Sequence, residues 1–121
     1  MLPNTTIMVI PAFAGMKGLG ERGFDMIRHT VVFRLKHAPG SAAEARFLTE
    51  AMKLATIPGV QTFEQLKQVS PKNSYSFGFS MEFADQAAYA IYNDHPMHVA
   101  FVRDRWIPEV TEFMEIDYVP L

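Results

Sequence analysis

Between Tyr75 and Phe83 every second side chain is large and apolar: Tyr75, Phe77, Phe79, Met81 and Phe83 alternate with Ser76, Gly78, Ser80 and Glu82. Successive side chains of an extended chain point to opposite faces, so a period of two marks a β-strand with one face against a core. The same period runs through Ile27, His29, Val31, Phe33 and Leu35, with Arg28, Thr30, Arg34 and Lys36 opposite them beside Val32. Val110, Glu112, Met114, Ile116 and Tyr118 alternate once more as a final strand, and Val60 to Val69 reads as a strand of mixed pattern.

Helices fit between these strands. Ser41 followed by Glu44 forms a capping box, and Ala45, Leu48, Met52 and Ala55 recur at helical spacing until Pro58-Gly59 stops the helix. Ser70-Pro71-Lys72-Asn73 supplies a turn. Asp85 suits the N-cap of a short helix through Tyr92, Pro96 suits the first turn of a second segment, and Pro108 is expected to end it. The order β, α, β, β, α, β predicts an α+β, ferredoxin-like fold: a four-stranded antiparallel sheet with helices on one face. The other face needs a cover. A second copy packed sheet to sheet supplies one, giving a dimeric barrel whose interface carries Thr30, Val32, Ser76, Gly78 and Ser80, small enough for close approach. Ten Phe and eight Met in 121 residues exceed the needs of a small monomer core, as buried dimer surface or a lined pocket would explain.

At 121 residues the chain holds one domain, and 49% hydrophobic with 20% charged residues is the balance of a folded protein. A net charge of −2 without a cationic block argues against nucleic acid as a partner. No cysteine is present, which removes disulfides, thiolate nucleophiles and Cys-type metal sites. No apolar run reaches the roughly 20 residues of a membrane span. Residues 1–25 hold a short apolar run broken by Pro11 and no preceding Lys or Arg, a poor signal peptide. They read as an N-terminal extension before a domain at 26–121, and the cytoplasm fits as the compartment.

Ile27-Arg28-His29-Thr30-Val31-Val32-Phe33-Arg34-Leu35 resembles the first strand of the stress-responsive dimeric A/B barrel (Dabb) family. Tyr92-Asn93-Asp94-His95-Pro96-Met97-His98-Val99 is similar to that family's Tyr-x-x-His-Pro-x-His signature, and Phe101 to Trp106, Pro108 and Phe113 to Tyr118 resemble its tail. The resemblance implies a homodimer with a small-molecule pocket between helices and sheet and no cofactor. One branch, a plant polyketide cyclase that closes a tetraketide by aldol condensation, has a catalytic His and Tyr that match His98 and Tyr92. That chemistry needs a base near neutral pH to take a proton α to a carbonyl, and a donor where the enolate charge develops.

Other readings of each residue stay open. His98 is either a pocket-lining base or a satisfied core histidine; Tyr92 is either a proton donor or a core ring with its hydroxyl at an edge. His29, Phe77, Phe79 and Val102 are candidates to line the pocket and bind substrate, and packing is the competing role for each. His95, before Pro96, reads as a cap for the following helix. His95 and His98 at a spacing of three find no carboxylate pattern to complete a metal site, so no metal is expected there. Three functions compete: a cofactor-independent cyclase or lyase acting on a polyketide-like carbonyl substrate, a non-catalytic stress-related binding protein, and a cofactor-free monooxygenase of the wider barrel group.

Overall fold

The computed structural model describes residues 25–121, so the expected extension lies, apart from its last residue, outside the described residues. Strands β1 (Ile27–Leu35), β2 (Gln61–Lys67), β3 (Phe77–Phe83) and β4 (Val110–Tyr118) form one sheet in the order β2-β3-β1-β4. All three pairings are antiparallel. Helices α1 (Ala42–Ala51, tightening to a 3₁₀ stretch Met52–Thr56), α2 (Gln86–Asp94) and α3 (Pro96–Phe101) cover one face. This is the βαββαβ ferredoxin-like arrangement that the periodicity predicts.

The caps form where the sequence places them, with one shift. Ser41 Oγ accepts from the Glu44 N–H, but the Glu44 carboxylate accepts from the N–H of Gly40 rather than of Ser41, whose own N–H donates to the Ala38 carbonyl. Asp85 caps α2 by accepting from Ala88, and His95 caps α3 by accepting from Met97 ahead of Pro96 at the first turn. Gly59 ends the first helical stretch at φ +93°, a conformation that a β-carbon disfavours.

The structure departs from the sequence reading in three places. On α1 the buried stripe is Phe47, Ala51 and Leu54, while Ala45 and Met52 are exposed, because Phe47 is the largest apolar side chain and its burial sets the rotation of the helix. Pro108 does not stop the last helix. α3 runs into a π-helical stretch, Val102–Trp106, and a final turn, Ile107–Glu109, that includes Pro108 and leads directly into β4. Val99 faces solvent, and the inward line is His98, Phe101, Val102 and Trp106.

The third concerns β4. A bulge opposite Arg34 and Leu35 pairs Leu35 with Val110 but Arg34 with Glu112, so Val110 lies on the helix side while Met114, Ile116 and Tyr118 lie on the open side. Phe113, Glu115 and Asp117 therefore point beneath the helices, opposite Phe33, Val31 and His29.

The layer between sheet and helices has two chemically distinct ends. At one, Phe33 packs edge-on against Phe79 at 4.7 Å between ring centroids and against Trp106 at 5.0 Å, with Phe47 closing the cluster. At the other lie Phe83, Tyr89, Tyr92, His29 and His98, all buried, with Glu115 and Asp117.

Candidate functional site

His29 enters the polar end because the alternation of β1 directs every odd residue beneath the helices, and burial of Ile27, Val31, Phe33 and Leu35 fixes that register. Its Nδ1 lies 2.6 Å from Asp117 Oδ1 and 2.9 Å from the Tyr89 hydroxyl, and that hydroxyl donates to Asp117 Oδ2 at 2.9 Å. A carboxylate only accepts, so Nδ1 carries the proton and Asp117 orients both ring and phenol. Burial, followed by the charges of Asp117 and Glu115, holds the Tyr89 hydroxyl firmly protonated.

Glu115, two residues before Asp117 on the same face of β4, is the least satisfied member. Its Oε2 is buried with no hydrogen-bond partner and stands 3.8 Å from His29 Nδ1. Burial, with the nearby charge of Asp117, pushes its carboxyl up to about 8.

His98 comes from α3, turned inward by the Pro96 start and the His95 cap. Nδ1 lies 3.0 Å from the carbonyl oxygen of Asn93, which can only accept, so Nδ1 bears the proton and Nε2 presents its lone pair. Nε2 is buried without a partner. Burial drives the imidazole down to about 4, partly offset by the Asn93 bond, so it is neutral at pH 7. Tyr92 stands between the two histidines, 4.5 Å from the His98 ring and 6.2 Å from the His29 ring, and burial raises its phenol as well.

The structure thus brings His98, Tyr92 and His29 together. Phe77 and Phe79 lie elsewhere: β1 pairs them with Phe33 and Val31, toward the aromatic end, and the third-strand ring beside Tyr92 is Phe83, at 5.1 Å. Val102 is buried one turn beyond His98, its N–H donating to the His98 carbonyl. A groove of about 330 Å³ opens between the first helical stretch and α3, lined by Leu54, Met97, Phe101 and Arg105 rather than by His29, Tyr92 or His98.

Tyr89, Glu115 and Asp117 escape the sequence reading. Tyr89 sits one helical turn before Tyr92, and the two carboxylates alternate in step with Phe113, a pattern overshadowed by the stronger apolar alternation of Met114, Ile116 and Tyr118. His29, Glu115 and Asp117 are the one group among the described residues whose ligand atoms, all within 4.8 Å of one another, could hold a metal ion.

The sequence profile of the Stress Responsive A/B Barrel Domain matches residues 27–120. The chain belongs to this family. A Dabb family protein of ferredoxin-like fold from Mesorhizobium loti is 71% identical, with a TM-score of 0.80 over 80% of this chain and 98% of that one. More distant structures share the fold. A hydroxynitrile lyase from Passiflora edulis is 14% identical, TM-score 0.71, over 81% of this chain and 95% of that one. A dimeric ferredoxin-like protein of unknown function from Thermobifida fusca is 20% identical, TM-score 0.67, over 79% and 92%. No curated protein matches the chain. No helix among the described residues is long and apolar enough to cross a membrane.

Proposed function

We propose that this Dabb protein is a small-molecule enzyme in which His98 acts as general base on a carbonyl-containing or carbonyl-forming substrate, as a cyclase or lyase. The observation that carries the reading is the state of His98 Nε2: a buried lone pair without a protein partner, on a ring held neutral and in one tautomer by Asn93. An unpartnered buried acceptor costs about 1–3 kcal/mol, so its retention is explained by a proton that arrives with the substrate. Tyr92, packed on that ring with its phenol held protonated, is the donor for negative charge developing on the substrate oxygen. The base itself asks for no cofactor. A hydroxynitrile lyase shares the fold, which motivates a cyanohydrin as one test substrate, although a fold by itself assigns no reaction.

The test offers the purified chain a cyanohydrin, mandelonitrile, read as benzaldehyde release, and a linear poly-β-ketothioester, read as ring closure by mass spectrometry. Turnover of either that His98→Ala abolishes, while the variant still unfolds cooperatively, supports the reading. Turnover undiminished in His98→Ala, or no turnover of either, sinks it in favour of a non-catalytic binding protein.

We infer further that the working form is a homodimer joined through the open sheet face. Leu66, Met114 and Tyr118 remain 49%, 47% and 52% exposed there in one copy. Between them lie Val32, Thr30, Gly78 and Ser80, bordered by the ion pairs Arg28–Glu82 and Arg34–Glu112. An apolar centre with a charged rim is the anatomy of a protein interface.

A further inference from the structure

We propose that His29, Glu115 and Asp117 form a binding site for one divalent cation of the first transition row, beside the proposed base and independent of it. The donor set is one imidazole nitrogen and two carboxylates from adjacent central strands, β1 and β4, which hold their side chains more firmly than a loop would. Such a mixed set suits zinc or manganese better than calcium, which takes only oxygen, or a thiolate-seeking metal.

Geometry favours the assignment. Ligand atoms in neighbouring positions around a cation at about 2.1 Å stand roughly 3.0–3.4 Å apart. From His29 Nδ1, Asp117 Oδ1 is at 2.6 Å and Glu115 Oε2 at 3.8 Å, distances that bracket this range, and the three ligand atoms all lie within 4.8 Å of one another, close enough for side-chain rotation to bring them into one coordination sphere. For Nδ1 to face the cation the imidazole takes its other tautomer, the proton moving from Nδ1 to Nε2 so that the ring stays neutral; the phenol of Tyr89 keeps its bond to Asp117 Oδ2 and orients that carboxylate from outside the sphere.

A second observation points to a ligand. Glu115 has a side chain only 10% exposed, its Oε2 lacks any hydrogen bond, and it is directed at the His29–Asp117 pair. Two carboxylates share this end of the layer with no Lys or Arg ion-paired to either among the described residues. Burial of a second carboxyl group beside the first without a cationic partner is unfavourable, and a dication removes that cost. Three protein ligands leave coordination positions for water or an oxygen-bearing small molecule.

The test needs no substrate. The full chain, stripped with a chelator and dialysed, is titrated with zinc(II) by calorimetry, and cobalt(II) is added separately to read its visible absorption as nitrogen–oxygen coordination. One zinc per chain is expected. Glu115→Gln, which preserves shape but cannot supply an anionic ligand oxygen, and Asp117→Asn should each weaken binding by more than the roughly 100-fold that loss of an outer-sphere partner causes. His98→Ala should leave zinc affinity unchanged even if it abolishes turnover, so failure of the base assignment and failure of the metal site are read separately. Absence of saturable zinc binding, or binding by Glu115→Gln and Asp117→Asn equal to the parent chain, overturns the proposal. Loss of the site in His37→Ala instead would place the metal at the His37–Glu109 pair and overturn it equally.

Discussion

The Nδ1–H of His98 reaches back across the Pro96 turn to the carbonyl oxygen of Asn93, five residues earlier. That bond fixes which nitrogen faces the interior, and burial then decides the charge. In the unfolded chain the imidazole titrates near 6.5, in the folded chain near 4. Between these values the unfolded state binds a proton that the folded state refuses, so stability holds above pH 6.5 and falls as pH drops toward 4. The full loss attributable to this group is about 3 kcal/mol. Urea midpoints between pH 7 and pH 4 should fall less steeply in His98→Gln than in the parent. For the proposed enzyme, the acid limb of kcat/KM should lie well below the ordinary histidine value; a limb at 6.5 contradicts a buried, desolvated base.

Tyr89 ties the helix layer to the sheet through one hydroxyl. Tyr89→Phe keeps the ring stacked on Phe83 at 5.0 Å but removes the donor to Asp117. A loss of about 1–3 kcal/mol is expected, because a buried carboxylate loses a partner. Chemical denaturation measures this directly, and an unchanged midpoint would show that water replaces the phenol.

The open sheet face yields a prediction about assembly. Sedimentation at micromolar concentration should give a dimer, and Met114→Lys, which places a charge at the centre of the apolar patch, should give a folded monomer. A monomeric parent chain would leave Leu66, Met114 and Tyr118 without a cover.

A chain starting at Met26 retains every strand and helix of the described fold, and the family match begins at residue 27. It should be soluble and melt cooperatively with a midpoint close to that of the full chain. Insolubility would make residues 1–25 part of the folded unit.

The architecture was legible because its strands keep one face in a core over seven to nine residues, a signal that survives local irregularity. His29, Tyr92 and His98 were legible because residue types with chemistry stood on faces otherwise apolar, or within a compact motif. Glu115 and Asp117 were not. In β4 the stronger apolar alternation belongs to the open face, Met114, Ile116 and Tyr118, and a one-residue bulge at Thr111 sets Val110 against that phase. Hydrophobicity ranks the two faces of this strand in the wrong order, because the open face is suited to a partner and the covered face carries polar chemistry. The helix α1 facing was missed for a simpler reason: Ala45, Leu48 and Met52 match helical spacing as well as Phe47, Ala51 and Leu54, and only volume separates them.

The π-helical stretch Val102–Trp106 sets the phase of the last helix. At about 100° per residue a regular helix would turn Trp106, eight residues after His98, about 80° away from it. A wide turn absorbs one residue, so eight positions rotate as seven and the two side chains come within about 20° of alignment. The helix can therefore place indole in the aromatic cluster and imidazole at the polar end at once. Regular winding over the same eight positions would set the two about 80° apart, and the segment would then have to give up either the packing of its indole or the inward facing of its imidazole.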